Sequence, residues 1–245
     1  MPKSPYNRNP PGSPNDLDVL NSIVVDDAVR SLRPDFAALL MIAEGIVNGP
    51  SDDGSAAWLA TATRRAAAPD DDEHVLAWRE AYRGFGAKPK RTKPSIDGLL
   101  GRGRRGDALP AINRVVDAYN AVSVEHILPV GGEDIEAYVG PARLIRATGD
   151  EPFDTVSGGA EVVEHPLPGE VVWRDDAGVT CRRWNWRQCV RTRITETTKD
   201  ALFILERLEP YPIDRLIAAG DDLAGRLRAL APDVRIETRL VGPTT

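Results

Sequence analysis

The chain has 245 residues, 42% apolar and 28% charged, which is ordinary globular usage and excludes long disorder and fibrous architectures. Glycine (21) and proline (20) run slightly high, which favours a loop-rich fold over a helix bundle. The formal net charge of −6 argues against a simple basic nucleic-acid binder, and the two cysteines cannot build a disulfide framework.

The first 16 residues hold five prolines with Gly, Ser and Asn and have no apolar signal segment, so residues 1–18 are expected to form a tail. Residues 19–25 read as a first strand. Residues 36–47 are a buried run whose periodicity fits helix or strand equally. The alanine-rich stretch 56–68 is helical by propensity. Four acids across 70–73 then mark a helix start, where carboxylates meet unpaired N–H groups. Val75, Trp78 and Tyr82 give that helix one apolar face, and Gly84 and Gly86 end it.

A stiff basic loop comes next, with Lys88, Lys90, Arg91 and Lys93, interrupted by Pro89 and closed by Pro94. Ser95 is a candidate cap for a short helix containing Ile96, Leu99 and Leu100, and Gly101, Gly103 and Gly106 punctuate the rest of this basic stretch. Pro110 suits the first turn of the next helix, whose stripe is Ile112, Val115, Val116, Tyr119 and Val122. Beyond residue 150 the pattern turns to strands. Residues 170–173 and 179–184 flank a five-residue turn, 201–205 is a short apolar run, and 234–240 alternate as an edge strand does. Between the last two, Pro212 opens an amphipathic helix. With no clear linker or internal repeat, residues 19–245 read as one domain. No run is long enough to span a membrane, so the expectation is a soluble cytoplasmic protein with reduced thiols.

No nucleophile elbow, phosphate loop, dinucleotide fingerprint or metalloprotease helix is present, and no Cys/His spacing implies a metal or cofactor. His74, His126 and His165 are each isolated. Two features stand out. Asn113, Asp117 and Asn120 fall on one helical stripe, an unusual place for poor helix formers. They fit either a stripe that ties down a loop or one that contacts a ligand, and 128–134 with its paired glycines is the natural loop partner. The second feature is charge placement. Residues 88–105 hold seven basic groups against Asp97, and residues 182–193 hold five with no acid. Within the latter, strand alternation would put Arg182, Trp184 and Trp186 on one face and Arg183, Asn185 and Arg187 on the other. Indoles beside guanidinium groups suit stacked bases and phosphates, or a cation–π ladder over a core.

In order along the chain stand INRVVDAYNAV (112–122), LPVGGED (128–134), FDTVSGG (153–159), DDAGV (175–179), RRWNWR (182–187) and TETTKDALFILE (195–206). This series, over roughly residues 70–206, resembles the B3/B4 domain of the phenylalanyl-tRNA synthetase β subunit, and most of all free-standing B3/B4-like proteins. The resemblance implies an α+β fold, a β-rich sandwich with flanking helices. It implies an editing module that binds a wrongly charged aminoacyl 3′ end of tRNA and hydrolyses its ester, without DNA or membrane partners. It places Asn113, Asp117, Asn120, the loop 129–134 with Asp134 at its end, Gly158 and Gly159 around the substrate pocket, with Gly131 and Gly132 as backbone donors. Thr195 and Glu196 are candidates for polarising a water. Lys88, Lys90, Arg91, Lys93, Arg182, Arg183, Trp184, Trp186 and Arg187 would bind RNA, with Arg182 and Arg183 on the terminal adenosine or its phosphates. Two positions depart from the family: Gly131 stands where the family has a histidine, and Cys181, Arg182 and Arg183 replace a Gly-Gly-acid run tied to tyrosine recognition. A non-catalytic RNA- or partner-binding module, and a small-molecule enzyme using the same pocket, are the alternative functions.

Overall fold

The computed structural model describes residues 16–66 and 71–243. In chain order the elements are α1 (Asp16–Ser22), β1 (Val24–Val25), α2 (Asp27–Leu32), β2 (Ala37–Glu44), α3 (Asp53–Arg65), α4 (Glu73–Gly84), α5 (Ser95–Arg104), α6 (Arg114–His126) and β3 (Val130–Asp134). They continue with a 3-10 turn (Ile135–Ala137), β4 (Arg143–Arg146), β5 (Phe153–Ser157), β6 (Ala160–Glu164), β7 (Val171–Arg174), β8 (Val179–Arg182), β9 (Arg187–Gln188), β10 (Asp200–Arg207), α7 (Ile213–Leu230) and β11 (Arg235–Val241).

The strands form a four-stranded sheet in the order β11-β2-β10-β3, a five-stranded sheet in the order β1-β4-β7-β8-β9, and the separate hairpin β5-β6. The fold is thus α+β, as the resemblance implied. The run at 36–47 resolves as the buried central strand β2, paired with β10 on one side and β11 on the other. Its unbroken apolar character stems from the period of two. Leu39, Met41 and Ala43 pack with Phe203 and Leu205 against α6 and α7. Ala38, Leu40 and Ile42 pack with Leu202 and Ile204 into the other core, which takes in Leu144, Val171 and Trp173 of the five-stranded sheet. Both faces of the central strand are therefore covered, so neither can be polar.

Five local expectations change. Residues 19–25 are mostly helix: α1 buries Val19 and Leu20, and only Val24 and Val25 pair as a strand. The helical residues 16–18 lie within the expected tail, and residues 1–15 fall outside the described residues. Ser95 is the first residue of α5, not its cap; Pro94 holds the cap position without a side-chain bond. Gly101 and Gly103 lie inside that helix, where Gly103 lets α5 approach Ala66 closely. Pro110 precedes α6 by several residues, and Asn113 caps it by accepting from Val116 N at 2.9 Å. Residues 130–134 are a strand, β3, rather than a loop. Elsewhere Asp72 caps α4, the last acids of 70–73 standing where the dipole favours them.

Candidate functional site: a cavity between the sheets

A cavity of about 160 Å³ opens between the two sheets. Val130, Gly131 and Glu133 of β3, with Ile204 and Glu206 of β10, make one side. Trp173 of β7 and Cys181 of β8 face them, Tyr119 and Asn120 of α6 close one end, and residues 184–188 form the rim.

That rim is where simple strand alternation fails. β8 ends at Arg182 and residues 183–186 turn back into β9. Arg183 (φ 48°) and Trp184 (φ 70°) both occupy the left-handed region, which costs a non-glycine residue roughly 1–3 kcal/mol. Two anchors offset this. The Trp184 ring is fully buried, with ring centroids 5.1 Å from Phe36 and 5.3 Å from Trp78. The Asn185 amide is a junction: Oδ1 accepts from Tyr82 Oη at 2.9 Å and from Ser95 N at 3.3 Å, and Nδ2 donates to Glu206 Oε2 at 2.8 Å.

Two acids sit inside. Glu206 is only 2% exposed; it accepts from Trp173 Nε1 at 2.9 Å and from Asn185. Burial pushes its carboxyl up to about 7 against the pull of those hydrogen bonds. Glu133 is 3% exposed, bonded to Tyr138 Oη, and likewise driven by burial to about 7. The same desolvation raises the Cys181 thiol well above its usual range, and the Tyr119 hydroxyl too. Near neutral pH the cavity therefore holds two carboxyls that exchange protons readily and a thiol that stays protonated.

Of the residues expected at the pocket, Asn120 and, from the 129–134 segment, Val130, Gly131 and Glu133 line it. Asn113 and Asp117 instead tie the structure together. Asn113 Nδ2 donates to Ile194 O at 3.3 Å. Fully buried Asp117 accepts from Ser55 Oγ at 2.8 Å and Ile112 N at 2.9 Å. Gly132 offers its carbonyl to Gln188 Nε2 at 2.7 Å, and a Cβ there would meet Ile194, Phe203 and Tyr119 at 2.8–2.9 Å. Asp134 accepts from Thr198 Oγ1 at 2.7 Å and caps the 3-10 turn. Gly158 and Gly159 turn the β5–β6 hairpin, and Thr195 and Glu196 lie in the loop before β10; none of the four lines the cavity.

The RNA-binding candidates divide. Trp184, Trp186 and Arg187 line the cavity, but the buried Trp184 offers no stacking face to solvent. Arg182 is buried and committed, its fork gripping Glu170 through two bonds of 2.9 Å and its third nitrogen reaching Glu164 at 2.8 Å, so it is not available to a phosphate. Arg183 lies 4.4 Å over the Trp186 ring and donates to Thr92 Oγ1 at 2.6 Å, which brings the two basic stretches together. Lys88, Lys90, Arg91 and Lys93 are exposed on the α4–α5 loop. Glu206, Tyr119 and Asn185 were missed from the sequence; the available signal for Glu206 was an acid closing the otherwise apolar run of β10.

A family model, the B3/4 domain, matches residues 77–218, more than half of the chain. The chain belongs to the B3/4 domain family. The matched span holds every residue that lines the cavity. No curated protein matches the chain. Among solved structures it is similar to an N-terminal fragment of the phenylalanyl-tRNA synthetase β subunit from Pyrococcus horikoshii, at 12% identity and a TM-score of 0.45. That likeness covers 91% of this chain and 54% of that one, so the B3/4 chain spans about half the length of the structure it matches. Among the described residues no helix is long and apolar enough to cross a membrane.

Proposed function

We propose that the protein binds the 3′ end of an aminoacylated tRNA and hydrolyses a mischarged ester, with the amino-acid side chain in the cavity between the sheets. The observation that carries this reading is the cavity itself: about 160 Å³, two carboxyls near pH 7 within, and the Arg187 guanidinium at the rim. An apolar space of about 150 Å³ accepts benzene, so this one has room for a single amino-acid side chain and leaves the ribose and base at the rim. Membership in the B3/4 family supports the same substrate class.

Hydrolysis adds water to the ester carbonyl and breaks the bond to the ribose oxygen, giving the free amino acid and a 3′-hydroxyl. The water's proton must reach the leaving oxygen. Glu133 and Glu206 are the groups of the cavity suited to that exchange near neutral pH. Gly131, where no side chain intrudes, leaves room for the ester beside β3. Arg187 and Trp186 serve the terminal nucleoside at the rim.

The test is a panel of aminoacyl-tRNAs incubated with the protein while ester loss is followed. At least one ester should be cleared faster than in buffer, and replacing Glu133 and Glu206 together by Gln should slow that clearance about 100-fold or more. Unchanged ester lifetimes across the panel overturn hydrolysis. Retained RNA affinity would then leave a binding module, and no RNA affinity at low salt would leave a small-molecule ligand for the cavity.

A further inference from the structure

A second hollow, about 230 Å³, lies on the other side of Arg183. Its walls are Phe85, Ala87 and Leu167, and its basic groups are Lys88, Arg91 and Arg183. Leu167 is 66% exposed, an apolar side chain held open to solvent by the bond from its own N–H to Glu170 Oε2 at 3.3 Å. Glu170 is, among the described residues, the one acid lining the hollow; the Arg182 fork grips it, and Arg183 Nε lies 3.7 Å from its Oε2. Among the described residues no carboxylate pairs with Lys88 or Arg91. The hollow is thus a concave apolar surface whose rim carries Arg183, paired with Glu170, and two cations, Lys88 and Arg91, with no carboxylate against them.

Arg183 joins the two spaces. Its guanidinium lies over Trp186, which lines the first cavity, while it lines the second and bonds Thr92 there. A strand whose last nucleoside sits at Trp186 would reach this hollow with its next unit.

We propose that the second hollow holds the nucleotide preceding the esterified one, its base against Phe85 and Leu167 and its 5′-phosphate between Arg91 and Lys88, while Arg183 faces the phosphate linking that nucleotide to the terminal nucleoside. This rests on the tRNA reading of the first cavity. An acidic peptide would also meet the cations, but it would leave the apolar wall without a planar partner, whereas a base presents one.

The experiment measures quenching of tryptophan fluorescence by adenosine 5′-monophosphate, a dinucleotide and a trinucleotide, with wild type and the double variant Lys88→Ala/Arg91→Ala. Both residues are exposed, so the variant should keep its fold. The dinucleotide should bind wild type about tenfold more tightly than the mononucleotide, the gain of one stacked base. The double variant should lose that gain, keep its mononucleotide affinity within about twofold, and show a log K versus log salt slope shallower by about 0.7 per lost phosphate contact. Leu167→Ala should weaken only the di- and trinucleotide. A dinucleotide that binds no better than the mononucleotide, a double variant that keeps the gain, or a polyglutamate peptide that competes as well as RNA overturns the assignment. Wild type that deacylates tRNA yet shows no gain overturns this inference alone, whereas wild type that binds none of the three nucleotides and deacylates nothing removes the first reading together with this one.

Discussion

The two basic stretches look alike in sequence and end in opposite circumstances. In residues 182–193 two arginines turn inward, whereas Arg193 is exposed and Arg183 and Arg187 stay half-buried at the cavity rims. Arg182 grips buried Glu170, and Arg191 grips fully buried Asp175 through bonds of 2.8 and 2.9 Å. In residues 88–93 the cations face water, and Asp97, the one acid of the wider stretch 88–105, is taken by Arg79 at 2.8 Å. The difference comes from the backbone. Arg182 stands on β8 between β7 and β9, and Arg191, in the turn after β9, reaches buried Asp175; both enter the interior, where a charge needs a partner. A proline-bounded loop has no interior to deliver its side chains to. Cationic composition therefore measures supply, and only the element carrying it decides what is left for an anionic ligand.

That contrast can be broken most forcefully at Arg182. Arg182→Ala strips buried Glu170 of its two-bond partner, leaving only Arg183 at 3.7 Å, and should cost about 3–5 kcal/mol in denaturant unfolding. A loss under about 1 kcal/mol would mean that the inward stretch is not the structural one.

The next largest effect concerns the buried acids. Glu133 and Glu206 hold their protons to about pH 7 in the fold against 4.5 ordinarily, so the native state binds more protons and stability falls as pH rises between those values, by about 3 kcal/mol per group. Buried His74, pushed down to about 4 from 6.5, acts oppositely below 6.5. The carboxyl contribution is therefore read as a difference: Glu206→Gln should gain on wild type steadily from pH 4.5 to about 7 and hold level above. A difference independent of pH would show that Glu206 titrates normally.

Asp117→Ala should cost about 1–3 kcal/mol, because it orphans Ser55 Oγ and the Ile112 N–H, with no change in the cavity. At the outward end, Lys90→Ala should stay within about 0.5 kcal/mol of wild type in unfolding. A larger loss there would erase the distinction between the two stretches.

Much of the fold was legible where pattern and element agree. The apolar face of α4, the amphipathic α7, the β7–β8 hairpin and the edge strand β11 all come from periodicity. Two kinds of information were not local. Whether 36–47 was strand or helix depended on layers covering both its faces, and the strand character of 130–134 came from pairing with β10, since paired glycines otherwise signal a loop. The site was legible only in part for the same reason. Asn120 and the 129–134 segment with Gly131 were reachable from the resemblance. Glu133 and Glu206 gain their character from burial between two sheets, and Arg183 and Trp184 from a left-handed turn that strand alternation does not foresee.

The central claim is that the cavity beside Gly131 receives the aminoacyl end of RNA. Gly131 has ordinary backbone geometry, and a Cβ there meets nothing closer than Gln188 Nε2 at 3.9 Å, so Gly131→Val should fold and fill the space. The direct measurement is calorimetric titration of both proteins with a non-hydrolysable 3′-aminoacyl-adenosine amide. Binding to wild type and its loss in Gly131→Val is the predicted result; equal affinity for the two proteins, or no binding to wild type across a range of aminoacyl side chains, would contradict it.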